Sequence, residues 1–436
     1  MKRLVLPVLF IFAACGSKKE QHGKIVLNQN ILSECNTAIQ NAVVVDHVPA
    51  PVGSRRYYYA SAAAYESLVP FHPGYTSLAG QFHGLSAAPK ADTSKDYCLD
   101  LVSMRAHTFV SNKLVYKEDS IQSFLDRKMA YYKNALSEDM FNNSVKYGDS
   151  VGAHIAKWAA KDSFAQYRGK DFYIVKKDAG KWQPTSPEFA DAIEPNWGHI
   201  RTSVVPNANF TKIPTPIAYS LDRNSEFYKI NKQVYDAVKN IDSNKMLITK
   251  YWDDNPNTVE HLGHVTINVL KVSPAGHWLG MFSTVARQKK YTLIQSAEGF
   301  ASLSAAIFDA FIVCWNVKYQ TEYLRPETSI RKLFDSSWSS LIQTPPFPEY
   351  PSGHSVVSSA AATVLTSYFG DFEFTDSAEF EFGLGTRHFK SFKAARDEAC
   401  ISRNYGGLHF MEAIENGILL GNAVGDYHLN HLKTRP

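Results

Sequence analysis

An all-α protein built of helical bundles is what three features of the sequence predict. Apolar and aromatic residues recur at three-to-four spacing over long stretches, period-two alternation is scarce, and the C-terminal half concentrates three long apolar runs. Residues 55–69, 122–136, 147–163 and 227–241 carry the amphipathic spacing. Between them lie Pro-, Gly- and Asn-rich stretches at 70–94 and 167–220. The second is longer than a bundle needs for connection, and loops of that length often cover a site. The three apolar runs, 300–324, 355–370 and 408–429, supply a bundle core. In the last of them Gly417, Gly421 and Gly425 recur on one face, which predicts close approach of another helix. Glu412, Glu415 and Asp426 in the same stretch argue against a membrane reading of that pattern.

The chain opens "MKRLVLPVLFIFAAC", with Lys2 and Arg3 before an eleven-residue apolar stretch. Residues 1–14 therefore read as a secretory signal peptide, too short to cross a bilayer. The run "FAAC" resembles a bacterial lipobox, which implies cleavage before Cys15 and lipid on its thiol. Residues 15–22 are then a lipidated cysteine and tether, and the protein an exported lipoprotein held to a membrane by acyl chains. A plain signal peptide cleaved a few residues later is the alternative. Gly16 is not the acidic residue that often retains lipoproteins at an inner membrane, which points to the outer membrane or periplasm. Behind the tether come an N-terminal helical part, 23–249, and a C-terminal helical part, 250–436.

Loss of residues 1–14 lowers the formal charge from +4 to +2, since Lys2 and Arg3 leave and no acid does. A chain so near neutrality is no trap for nucleic acid. With 44% hydrophobic and 13% aromatic residues it has ample material for a large core. Cys35, Cys98, Cys314 and Cys400 show no CxxC spacing. Export permits a disulfide, with Cys35 and Cys98 the pair to test.

Three segments of the C-terminal part carry chemistry. In "KYQTEYLRP", Lys318 and Arg325 stand seven apart, which on a helix puts both on one face, while Pro326 ends the element. If that end is buried, the two cations need an anion. In "YPSGHS", the Ser352 hydroxyl and the Gly353 amide sit at a helix start and offer donors to an anion, and His354 stands ready as acid or base. In "SRNYGGLHFMEA", Gly406 and Gly407 allow a bend that turns Arg403 and His409 toward one point. Singly, each segment reads equally well as snorkelling cations, a loop, or a satisfied ring. Jointly, three cations, a hydroxyl, an amide and two imidazoles suit one tetrahedral oxyanion.

These residues resemble the signature of the type 2 phosphatidic acid phosphatase and vanadium-dependent haloperoxidase superfamily: Lys, six residues, Arg-Pro; Pro-Ser-Gly-His; and Ser-Arg, five residues, His. The resemblance spans roughly residues 252–428, with looser matches at "YWDDNPN" (251–257) and "SPAGHW" (273–278). It implies that Lys318, Arg325 and Arg403 neutralise the oxygens of a bound oxyanion while Ser352 and Gly353 donate hydrogen bonds to them. It implies further that His409 bonds the central atom and that His354 is the acid–base residue opposite. In a phosphatase His409 attacks phosphorus. In a haloperoxidase vanadate, one per chain, rests on His409 as metal ligand, and Lys318 polarises hydrogen peroxide for attack by iodide or bromide.

Length and context favour the haloperoxidase. Superfamily lipid phosphatases embed these motifs in several transmembrane helices, whereas no uninterrupted apolar run of about eighteen residues exists here. The superfamily's soluble acid phosphatases have little more than half this length. Phe347 then borders a halide pocket, as the resemblance implies, and Trp315 is a second candidate for its wall, with core packing the competing role for both. A small organic halogen acceptor is a further possible partner. One departure stands out: many members have Asp four residues after the apical His, and here that position is Ala413 beside Glu412, so Glu412 or another group must orient the ring. An exported acid phosphatase and a non-catalytic anion-binding protein remain the other readings.

Overall fold

The computed structural model describes residues 23–117, 119–168, 170 and 172–436; the signal peptide, Cys15 and the tether lie outside the described residues. The first half holds α1 (Ile31–Val45), α2 (Ala50–Leu68), α3 (Leu99–Leu114), α4 (Asp119–Ala135), α5 (Glu138–Ala159), α6 (Phe164–Arg168), α7 (Glu226–Lys239) and α8 (Ser243–Tyr251). The second holds α9 (Pro274–Gln288), α10 (Leu293–Thr321), α11 (Pro326–Leu333), α12 (Gly353–Phe369), α13 (Phe392–Tyr405) and α14 (Met411–His431). Strand among the described residues is confined to three two-stranded pairings. The protein is all-α, as expected. The four amphipathic segments correspond to α2, α4, α5 and α7, and the apolar runs to α10, α12 and α14. Helix α3 escaped the periodicity because its buried residues include Asp100, Ser103, His107 and Thr108, which blur the apolar stripe.

Helix α10 is the axis of the molecule. Its 29 residues extend about 44 Å at the usual rise, and Thr292 with Gln295 closes a capping box at its start. It is apolar all round because its neighbours, α2, α9, α12 and α14, enclose it. By length and composition it could cross a membrane, but nearly all of it is buried inside the protein. Glu298 and Asp309 keep its sequence from forming one uninterrupted apolar run. Both acids are buried and partnered: Asp309 accepts from the backbone N–H groups of Ser203, Val204 and Val205 and contacts His428 at 2.8 Å, and Glu298 accepts from Thr434 and Arg435. The apolar core is continuous across residue 250, with Tyr58 of α2 stacked on Phe308 of α10.

The glycine stripe of α14 lies on α12. A Cβ at Gly421 would stand 2.2 Å from the Val356 carbonyl oxygen, and one at Gly417 would stand 2.8 Å from the Ser355 Cβ. The helices therefore touch backbone to backbone. Gly421→Ala should force them apart and cost about 1–3 kcal/mol, the usual penalty of overpacking, which a denaturant midpoint will show.

The stretch that follows α6 runs over the C-terminal part, as its length suggested. The Ile193 N–H donates to the Pro346 carbonyl, and the Ile193 carbonyl accepts from Trp315 Nε1 and the Tyr319 hydroxyl. Cys35, Cys98, Cys314 and Cys400 are all free and buried, so the Cys35–Cys98 pairing is not formed. The Cys98 thiol instead donates to Asp100 at 2.9 Å.

Candidate active site

Four chain segments meet at the C-terminal end of α10. Lys318 stands in the last turn of that helix, and Glu322 ends it in the left-handed conformation at φ 51°. Arg325 does not share the helix face expected from its spacing. Pro326 opens α11 and holds Arg325 extended at its N-cap, so the guanidinium reaches the site from a turn. The Pro-rich stretch 345–351 then delivers Ser352 as N-cap of α12, with Gly353 and His354 in its first turn. Arg403 comes from the last turn of α13, not from a loop. Gly407, at φ 81°, reverses the chain so that His409 lies just ahead of α14.

Six of the seven predicted oxyanion residues are brought together, and the seventh, Ser352, stands beside Gly353 with its hydroxyl accepting from Ser355. Arg325 Nη1 lies 3.3 Å from His409 Nε2. A Cβ on Gly353 would stand 4.0 Å from Lys318 Cε and 3.6 Å from the Trp315 ring, beside the ammonium. His354, Arg403, His409 and Gly353 line one cavity with Trp315 and Phe347. The two aromatic rings are 4.9 Å apart, and Phe347 lies beneath both Lys318 and Arg325, 5.1 and 4.9 Å from their charged groups. Lys318, Arg325 and Ser352 are fully buried, and Arg403 and His409 nearly so.

The tautomer of His409 follows from its partners. Glu349 Oε1 accepts the Phe410 N–H at 3.1 Å and lies 2.8 Å from His409 Nδ1. An oxygen already accepting one N–H receives the imidazole proton as well, so Nδ1 carries hydrogen. On the other side Arg325 can only donate, so Nε2 is bare. His409 is thus neutral, held well below the ordinary histidine range by burial and then by the charges of Arg325, Lys318 and Arg403. Its Nε2 lone pair, beside the Arg325 guanidinium, is placed to bond a metal centre.

Glu349 was not foreseen, and Glu412 does not orient the ring. The Glu412 carboxylate accepts the Ile217 N–H at 3.1 Å instead. Burial pushes Glu349 up to about 8, against the pull of Lys318 and Arg325. Burial pulls Lys318 down to about 7 and Arg325 to about 10. Lys318 Nζ donates to the carbonyls of Pro348 and Glu349, at 2.7 and 2.9 Å, and not to a carboxylate. Arg325 Nη2, Arg403 Nε and His354 Nε2 are buried with no protein partner. The two guanidinium donors left unpaired in a site this cationic fit an oxyanion, and the bare His409 nitrogen fits vanadate.

His354 faces Asp254, whose Oδ2 lies 3.8 Å from its Nε2. Burial, then Arg403 and His277, hold His354 well below its ordinary value, so it is a neutral base. Asp254 and His277 lie in the segments "YWDDNPN" and "SPAGHW", which the sequence marked without assigning a residue. The Asp254, His277 and Glu379 cluster is a separate group of ligand-type side chains within 4.8 Å of one another, and it does not include His409.

Residues 298–435 match the family model of the VCPO second helical-bundle domain. Among solved structures, the chain is similar to "the first bacterial vanadium dependant iodoperoxidase", at 39% identity and a TM-score of 0.89, over 95% of this chain and 99% of that one. A holo-type bacterial vanadium-dependent chloroperoxidase shares the fold at 16% identity and a TM-score of 0.68, covering 88% of this chain and 91% of that one. The corresponding apo-type chloroperoxidase structure aligns with a TM-score of 0.66, again at 16% identity, over 88% of this chain and 94% of that one. No curated protein matches.

Proposed function

Since the chain belongs to the vanadium-dependent haloperoxidases, we propose that it oxidises iodide or bromide with hydrogen peroxide to a hypohalous species. The observation that carries this reading is the neutral His409, its Nε2 exposed to a cradle of buried, unpaired cationic donors. Likeness to an iodoperoxidase along its whole length favours iodide as the first halide to try.

Lys318, Arg325 and Arg403 would hold the oxygens of vanadate, with the Ser352 hydroxyl and Gly353 amide as neutral donors and His409 Nε2 as ligand. Vanadate so held supplies a Lewis-acidic centre that activates hydrogen peroxide without changing its own oxidation state. The protein's part is electrostatic and acid–base. Its cations act from a dry site, where their charge is screened least and needs no reorganisation. His354, kept neutral, takes the proton that hydrogen peroxide gives up. The Lys318 ammonium offers its charge to the oxidant, and Phe347 and Trp315 wall the space through which the halide approaches.

The signal-like N-terminus supports export, and "FAAC" at Cys15 supports a lipid anchor at the outer membrane or in the periplasm. Globomycin treatment of an expressing bacterium should then leave the uncleaved precursor, and normal processing under the drug would remove the anchor from this account.

Apoprotein should gain iodide- or bromide-oxidising activity on addition of orthovanadate, while any hydrolysis of para-nitrophenyl phosphate should fall. Efficient phosphate-ester hydrolysis together with inertness toward both halides after vanadate loading would replace this reading with the phosphatase.

A further inference from the structure

Behind His354 lies a buried network that the proposed chemistry above does not use. His277, on α9, is completely buried and stacked on Trp252 at 4.3 Å. Its Nδ1 is 3.0 and 3.1 Å from the two oxygens of Asp254, and its Nε2 is 2.9 Å from Asp376 Oδ2. Glu379 Oε1 stands 3.5 Å from Nδ1, and the Tyr251 hydroxyl donates to Asp376 at 2.7 Å. A neutral imidazole donates from one nitrogen only, and here each nitrogen meets a carboxylate. The ring is therefore an imidazolium, donating on both sides. Burial opposes that charge, but Asp254 and Asp376 outweigh burial and hold the proton on well above the ordinary histidine range.

Such a cluster is a poor way to stabilise a core, because apolar replacement of buried charges is often neutral or favourable. It does have a direction. Asp254, the carboxylate that His277 grips through both oxygens, also lines the active-site cavity and faces His354 at 3.8 Å.

We propose that His277 is a positioning residue for halide oxidation, a buried imidazolium that fixes the Asp254 carboxylate against His354. The inference rests on the haloperoxidase reading for its kinetic test. Asp254 left without this partner would be an unbalanced anion and would draw a proton onto His354. Asp376 and Glu379 hold the imidazolium from its other sides, and the Tyr251 hydroxyl holds Asp376. The effect on His354 thus begins four contacts away, at the Tyr251 hydroxyl.

The test is a double-mutant cycle with two readouts. H277Q should lower kcat for iodide oxidation about tenfold, the scale of lost outer support, while orthovanadate affinity of the apoprotein by calorimetry and the iodide KM stay within about threefold. D254N should fall as far, and D254N/H277Q no further than D254N, because one residue acts through the other. Losses that multiply in the double variant, or a wild-type kcat in H277Q, would overturn the inference. If H277Q fails to bind orthovanadate, Y251F carries the test: its kcat should drop at least about twofold with orthovanadate affinity unchanged, and a wild-type kcat there overturns the inference. Ring-nitrogen NMR of the apoprotein separates this inference from the activity itself. At pH 8 His277 should show both nitrogens protonated, and the His354 signals should move in Y251F, whatever chemistry the loaded protein performs. A neutral His277 sinks the inference even in an active enzyme, and an inert loaded wild type sinks the activity alone.

Discussion

His409→Ala apoprotein should take up orthovanadate no better than it takes up inorganic phosphate, and its halide oxidation should fall by at least about a thousandfold, well beyond the roughly 10–100-fold that loss of a supporting group costs. Lys318, Arg325 and Arg403 attract any tetrahedral oxyanion by charge. His409 Nε2, kept bare by the Nδ1 contact to Glu349 and by the Arg325 guanidinium, adds a lone pair beside those cations. Removal of that lone pair should leave weak anion affinity and no bonded metal centre. Calorimetry with vanadate and phosphate in parallel, followed by iodide oxidation of the loaded variant, checks both halves. Vanadate selectivity retained in the variant would mean that the bond is made elsewhere.

Glu349→Ala is expected to cost about 10–100-fold in orthovanadate affinity and in activity, with Glu349→Gln much milder. The alanine removes the acceptor of the His409 proton, frees the ring to adopt the other tautomer, and leaves the Phe410 N–H unpaired in a buried place. Glutamine keeps one carbonyl oxygen that can serve both donors. Equal losses in the two variants would show that the carboxylate acts through its charge and not through the tautomer. The graded pair therefore tests the hydrogen-bond argument itself, by calorimetry and steady-state rates.

The cradle was legible because its chemistry is written in three short strings, each with fixed residue types at fixed offsets. Lys318, Arg325, Ser352, Gly353, Arg403 and His409 could be named before their geometry was known, although the face assigned to Arg325 was wrong because Pro326 starts a new helix. The supports could not be named. Glu349 and His409 are sixty positions apart, and His277 meets Asp254 and Asp376 across twenty-three and ninety-nine residues of chain. Contacts of that kind depend on how the helices stack, which spacing along the chain does not encode. The glycine stripe of α14 was readable because a helix repeats its own face, whereas α3 was hidden because it buries polar side chains. The free cysteines make the same point: proximity of thiols is a tertiary fact.

The intimate contact of α12 with α14 reaches beyond stability. His354 opens the first of these helices and His409 immediately precedes the second, and the Ser352 N–H is tied to the Ala413 carbonyl at 3.0 Å where the two begin. The two helices consequently behave as a pair of tongs closed along their handles, and the jaws carry the two rings. Small wedges placed near Gly425, far from any reacting atom, offer a way to tune the opening of those jaws while every group that handles peroxide or halide stays untouched.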